Sequence, residues 1–306
     1  MPWIVLAGLA LVAVRHGGPA VRSGATVFVA ICVQAMPFLV LGVLVSGGIA
    51  AFAPARLLRK VLPRNEILAV GVAGLAGIAL PGCECASVPV ARRLMRQGVP
   101  PSVALAFLLA APAVNPVVLV ATAVAFPTAP VMVLARFAGS LLTSFAMGWL
   151  WSRTGRVEWL AGRAEHDHGT GWARFAEAAR ADFAAAGGFL VAGALAAATV
   201  NVVVPPGWFG AVGGNAVAAV GALALLAVVL ALCSEADAFV AAAMPALPLL
   251  PRLVFLVVGP AVDVKLIALQ AGTFGRAFVA RFAPVTFLVA IGSAVMVGLV
   301  VFGGYR

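Results

Sequence analysis

Charge is what this 306-residue chain has least of: Asp, Glu, Lys and Arg make up 10% of it, while 64% is hydrophobic. Soluble domains carry roughly 25% charged residues, so there is too little polar surface here to cover a water-exposed fold. The same shortage excludes disorder, which needs low hydrophobicity. Segments of alternating polarity, the mark of a transmembrane barrel, are also missing, and continuous apolar runs stand in their place. The four cysteines, Cys32, Cys83, Cys85 and Cys233, form no disulfide framework. No Walker-type glycine-rich loop occurs, so ATP hydrolysis by the chain itself is not expected, and no cofactor is implied. What remains is an all-α polytopic membrane protein.

The charge that is present is lopsided, with 20 Lys+Arg against 10 Asp+Glu and a net +10. In a soluble protein this excess would suggest nucleic acid. Here most Arg residues end apolar runs, where the positive-inside bias puts them, so the expected partner is the lipid bilayer and not nucleic acid.

Met1–Val14 is apolar and is followed by Arg15-His16, the reverse of a secretory signal. A retained short helix is expected, reaching about 21 Å of the ~30 Å hydrocarbon layer. Ala25–Ala53 can span. The loop Pro54–Glu66 is cationic, and Ile67–Leu80 is apolar but short. Ala86–Gln97 is expected to be helical. Ser102–Phe126, Val131–Trp151, Asp182–Val204, Ala216–Leu232, Leu253–Leu269 and Phe282–Phe302 are further apolar runs. Ser152–Arg180 is the one long polar segment, and its His166-Asp167-His168 stretch reads as a solvated loop. The implied organisation is a short N-terminal element (1–24), a first membrane unit (25–151), a polar linker (152–181) and a second membrane unit (182–306).

The two units match. Phe38–Gly42 recurs as Phe189–Gly193 at an offset of 151, Cys83 as Cys233 at 150, Phe107–Asn115 as Phe255–Asp263 at 148, and Ala135–Ala138 as Ala280–Ala283 at 145. Ordered matches with a drifting offset point to a structural repeat. If the Cys83–Cys85 region is a re-entrant hairpin, the cationic loops all fall on one face. Pro127–Pro130 and the uncharged Pro205–Gly214 turn then fall on the other. Each half crosses an odd number of times, which predicts inverted repeats with broken or re-entrant helices meeting at mid-membrane.

Four breaks fall in two pairs: Pro81–Cys85 with Ala231–Asp237, and Pro112–Pro116 with Gly259–Asp263. A backbone break inside a bilayer needs protein or water to satisfy its freed N–H and C=O groups. A proline kink alone would be the simpler reading of any one of them. Near them lie Glu84, Glu235, Asp237, Asp263 and Lys265. An acid at mid-bilayer costs ~2.5–3.5 kcal/mol or more on insertion scales, which makes it a functional-site candidate. Desolvation disfavours the charged carboxylate, so these residues are candidate proton or ion carriers, with Lys265 as counter-charge. A purely structural pair between Lys265 and one acid is the alternative.

The repeat brings Cys83 and Cys233 to equivalent positions, with Cys85 two residues from Cys83. Three thiols near one point suit a soft centre such as As(III), Cu(I), Hg(II) or Zn(II); plain buried packing is the alternative, and is the expectation for Cys32.

The runs Pro81–Val90, Gly98–Pro100 and Ala106–Pro116, then Cys233–Phe239 and Gly259–Lys265, resemble the signatures of a bacterial predicted-permease family that includes the organoarsenical efflux permeases. The resemblance extends from about Ala25 to Phe302. It implies an inner-membrane permease. Characterised members of that family export trivalent organoarsenicals, and many have no known substrate.

The expected protein is a secondary-active permease of the cytoplasmic membrane, and not an enzyme. Its substrate would be a small soft thiol-reactive solute, a trivalent organoarsenical or a similar metalloid or metal. Cys83, Cys85 and Cys233 would bind the solute or metal, and Asn115 and Asp263 would line the site. Glu84, Glu235, Asp237, Asp263 and Lys265 would carry coupling. Two other readings stay open: a thiol oxidoreductase using Cys83 and Cys85, and a membrane subunit of a multi-component transport system. An accessory subunit or a second copy of the chain is also left open as partner.

Overall fold

The computed structural model describes residues 18–52, 63, 65–79, 84–155, 160, 171–203, 216–244 and 247–303. Met1–Val14, Cys83, His166–His168 and Pro205–Gly214 lie outside the described residues. The first unit contains α1 (Pro19–Phe52), α2 (Glu66–Ala76), α3 (Glu84–Arg96), α4 (Pro101–Val114), α5 (Pro116–Ala125) and α6 (Val131–Thr154). The second contains α7 (Gly171–Val203), α8 (Ala216–Leu230), α9 (Ala236–Ala242), α10 (Leu249–Ala261), α11 (Val264–Phe274) and α12 (Arg276–Phe302). All regular structure among the described residues is helical. Among the described residues, six segments are long and apolar enough to cross a membrane: Val21–Ile49, Pro101–Ala125, Val131–Thr154, Gly171–Ala196, Leu249–Phe274 and Arg276–Phe302. The chain is a multi-pass membrane protein.

Helix ends follow local chemistry. Asn65 caps α2, its side chain accepting from the Ile67 N–H at 3.0 Å, and Glu66 places a negative charge at the positive end of the helix dipole. α3 carries Glu84 in its first turn and Arg93 and Arg96 in its last, again matching the dipole. α7 begins at Gly171, inside the polar stretch, because Ala173, Ala176, Ala178, Ala179 and Ala181 favour helix and Glu177 stands three residues before Arg180.

Two of the spans are interrupted. Between α4 and α5, Asn115 is extended, with φ −70° and ψ 153°. Between α10 and α11, Val262 and Asp263 are both extended. α4 is buried almost from end to end, and so is α10. These two helices therefore face protein and not lipid.

Packing joins the units. α1 lies along α7, α6 along α12, and α4 touches α10. α2 packs on α4 and α4 on α6, and α8 packs on α10 and α10 on α12. Across the units, α3 packs on α11 and α9 packs on α5. Two glycines allow close approach of one helix backbone to another. A Cβ on Gly42 of α1 would stand 2.5 Å from the Cα of Ala86 in α3, and one on Gly193 of α7 would stand 2.7 Å from the Cα of Lys265 in α11.

Candidate functional site

The crossed contacts α3–α11 and α5–α9 put the helix breaks of one unit against those of the other. At the α10–α11 break, Asp263 caps α11, its Oδ1 accepting from the Leu266 N–H at 2.6 Å. Lys265 follows in the first turn and turns its ammonium away from its own helix. Nζ donates to the carbonyl oxygens of Ala231 and Leu232, both at 3.1 Å, in the unwound segment after α8. It forms an ion pair with Glu84 Oε1 at the start of α3, and stands 3.6 Å from Asp263 Oδ2. Cys233 Sγ lies 3.8 Å away as a further acceptor. Glu84, Asp263 and Lys265 are all buried.

A second ion pair lies beside the first. Arg136, in the second turn of α6, donates to both carboxylate oxygens of Asp237 in α9, at 2.9 and 3.1 Å. It also donates to Thr122 Oγ1 of α5 and to the Ser234 carbonyl, both at 2.8 Å. Ser234 joins the two pairs, since its hydroxyl donates to Glu84 Oε2 at 3.4 Å. The result is a buried chain running Asp263, Lys265, Glu84, Ser234, Arg136, Asp237. It draws on both units, and its neutral links are the carbonyls and hydroxyl of a helix break. Charges this deep persist only when paired and hydrogen-bonded, so the unwound backbone and the ions stabilise one another.

Asn115 uses both ends of its amide on its own break. Nδ2 donates to the Ala111 carbonyl and Oδ1 accepts from the Val118 N–H, each at 3.0 Å. Glu235 stands apart. Both its carboxylate oxygens are buried without a hydrogen-bond partner among the described residues, within Coulombic reach of Glu84, Arg136 and Lys265.

The family model described as a predicted permease (ArsP_1) matches residues 21–302. The chain belongs to this predicted-permease family. The permease is also 34% identical over 275 residues to UPF0718 protein YcgR of Bacillus subtilis (strain 168), covering 87% of this chain and 93% of the relative. It is 30% identical over 295 residues to a Streptococcus mutans serotype c protein, covering 93% of this chain and 98% of the relative. That protein is provisionally named a two-component membrane permease complex subunit. No solved structure matches the chain.

Of the residues singled out in the sequence of the permease, Glu84, Cys233, Asp263 and Lys265 come together. Cys85 is buried within Coulombic reach of Lys265. Asp237 belongs to the neighbouring pair, and Asn115 serves its own helix break. Cys83 lies outside the described residues, so the three-thiol set is not complete in the structure. Among the described residues no three His, Cys, Asp or Glu side chains stand close enough to hold a metal ion.

Arg136 is a site residue that the sequence did not single out. Its signal was available, as the lone charge inside the apolar run Val131–Trp151. With it, the buried set holds two bases against four acids. Arg93 and Asp182 were missed as well; they form a buried pair at 3.5 Å, with the Ser46 hydroxyl donating to Asp182 Oδ2 at 2.5 Å, and tie α3 to α7 and α1. An apolar groove of about 440 Å³ between α2 and α6, lined by Val70, Gly74, Leu141 and Phe145 among others, has no charged side chain to orient a polar solute.

Proposed function

We propose that the permease is a secondary-active exporter of a small, soft, thiol-reactive solute, driven by proton or ion exchange at the paired helix breaks. The solute class is a trivalent organoarsenical or a similar metalloid or metal. The observation that carries this reading is the convergence of Glu84, Cys233, Asp263 and Lys265, with Cys85 nearby, where unwound backbone from one unit meets a helix start from the other. Buried charges at discontinuous helices are the plan by which many transporters bind substrate and coupling ion. In this reading Cys83, Cys85 and Cys233 take the solute, and Asn115 and Asp263 border it. Glu84, Glu235, Asp237, Asp263 and Lys265 handle the coupling charge.

The units are proposed to be inverted repeats, with α3 and α9 as short re-entrant elements. The crossed packing of α3 on α11 and of α9 on α5 supports this, as do the equivalent roles of Asn115 and Asp263. Single cysteines introduced at Arg96, Thr128 and Arg276 test it. Arg96 and Arg276 should label from one side of the membrane and Thr128 from the other. Labelling of Arg96 and Arg276 from opposite sides removes the inverted arrangement.

The name of the S. mutans relative favours a second reading of the assembly, in which the chain works with a partner subunit. The solute itself is tested by thermal stabilisation of the purified protein with a trivalent organoarsenical, Cu(I) and Zn(II) in turn. A binder raises stability with concentration. No response to any soft centre ends the soft-solute reading.

A further inference from the structure

The ammonium of Lys265 has more acceptors around it than it can use. Nζ donates to the carbonyl oxygens of Ala231 and Leu232 and to Cys233 Sγ at 3.8 Å, while Glu84 Oε1 faces it as an ion-pair partner and Asp263 Oδ2 stands at 3.6 Å. That makes five acceptors for the three N–H groups of an ammonium. The surplus is real in hydrogen-bond terms, because Glu84 Oε1 and Asp263 Oδ2 are both buried without a hydrogen-bond partner among the described residues.

The backbone part of this cradle is built for positive charge. Ala231 and Leu232 follow the last residue of α8, at the negative end of that helix dipole. Ala231 is held at φ +48°, a left-handed conformation an alanine rarely adopts, and its carbonyl is one of the two on the ammonium. Carboxylates and unwound carbonyls at a half-helix end form cation sites in membrane transporters. Here a side chain supplies the cation. The Cα of Lys265 packs closely against Gly193 of α7. Only the flexible four-carbon stem is free to carry the ammonium in or out.

We propose that this cradle is a monovalent-cation site which Lys265 occupies as a tethered cation, and that a free monovalent cation replaces the ammonium when the side chain withdraws. The proposal rests on the permease reading of the same site and names its coupling ion class. Carbonyl ligands beside two carboxylates suit a weakly held ion.

The test is Lys265→Met, which keeps the apolar stem and deletes Nζ. The purified full chain is melted in sodium, ammonium or N-methylglucamine chloride at equal ionic strength. In N-methylglucamine the variant should melt about 5–10 °C below the parent, since Glu84 and Asp263 lose their counter-charge. Sodium or ammonium should restore most of that loss with a saturable midpoint. The parent should show no such midpoint. Adding Glu84→Gln to Lys265→Met should raise stability in N-methylglucamine and shift the cation midpoint at least about tenfold upward, an effect of ~1.4 kcal/mol. Equal melting of Lys265→Met in all three salts overturns the proposal, as does a parent midpoint equal to the variant's. If Lys265→Met gives no folded protein, it should be recovered by purification in sodium or ammonium chloride. Failure in every salt, while the double variant folds, also overturns it. Soft-solute binding is read separately by organoarsenical stabilisation of the parent, so either reading can fail alone.

Discussion

Asn115 and Asp263 hold the same position at two different helix breaks. Each caps the helix that follows, Asn115 through the Val118 N–H and Asp263 through the Leu266 N–H. The difference is charge: Asn115 spends its amide on its own backbone, whereas the second oxygen of Asp263 faces the ammonium of Lys265 at 3.6 Å. Equivalent local geometry has been given one neutral and one ionic partner.

That comparison yields the first prediction. Asp263→Asn keeps an acceptor for the cap and should fold with little loss, whereas Asp263→Ala should cost about 1 kcal/mol for the cap alone. If Asp263 carries coupling, Asp263→Asn should bind solute and fail to accumulate it against a gradient. Vesicle transport with and without an imposed proton or sodium gradient measures this. Unimpaired uphill transport moves the coupling role to Glu235 or Asp237.

The second concerns Arg136. Arg136→Met leaves Asp237 buried without its counter-charge and should destabilise by about 3–5 kcal/mol. Replacing both partners, Arg136→Met with Asp237→Leu, should recover much of that, because an apolar pair incurs no desolvation penalty. Thermal unfolding of the two single variants and the double variant decides it. Purely additive losses would mean that the two side chains do not act as a pair.

Close helix contact gives the third. Gly42→Ala pushes a methyl against the backbone of Ala86, and Gly193→Ala against that of Lys265. Each should cost about 1–3 kcal/mol by overpacking. Gly71→Ala, where a Cβ meets nothing within 4 Å, should be tolerated. Expression level and melting temperature of the three variants report the order.

The thiols give the fourth. Cys83→Ser and Cys233→Ser should each weaken binding of a trivalent organoarsenical strongly, and the double variant should add little, since groups acting as a unit are non-additive. Cys32, half-buried on α1 beside Phe28 and Ile31, should tolerate serine with parental binding. Intact binding in both Cys83→Ser and Cys233→Ser would remove the soft centre as substrate.

Backbone strain gives the last. Ala231→Gly should hold or raise stability, because glycine adopts φ +48° without steric cost. Ala238→Gly, at a buried position of α9, should lower stability by about 1 kcal/mol. Equal losses at both positions would mean that the conformation of Ala231 stores no strain.

Composition and pattern by themselves determined the class of this protein, because a chain with so little charge belongs in lipid, and continuous apolar runs without alternating polarity satisfy their backbone there as helices. Sequence also located the interruptions. Asn115 between Val114 and Pro116, and Asp263 after Gly259-Pro260, are polar residues beside prolines in apolar runs, a pattern with no stable use at the centre of a regular helix. Burial of Glu84, Asp263 and Lys265 followed from the same runs. The choice of partners did not. Asp263 and Lys265 stand two apart and would not face each other on a regular helix, so the sequence pointed Lys265 to an acid of the other half or to Asp263 at an unwound break, without choosing between them. Tertiary structure decided it by packing α3 on α11, which leaves Glu84 opposite the ammonium and Glu235 without a hydrogen bond among the described residues. Arg136 with Asp237, and Arg93 with Asp182, were decided in the same way. A residue's run in the chain reports how deeply it is buried, but which opposite charge it meets depends on how distant helices cross.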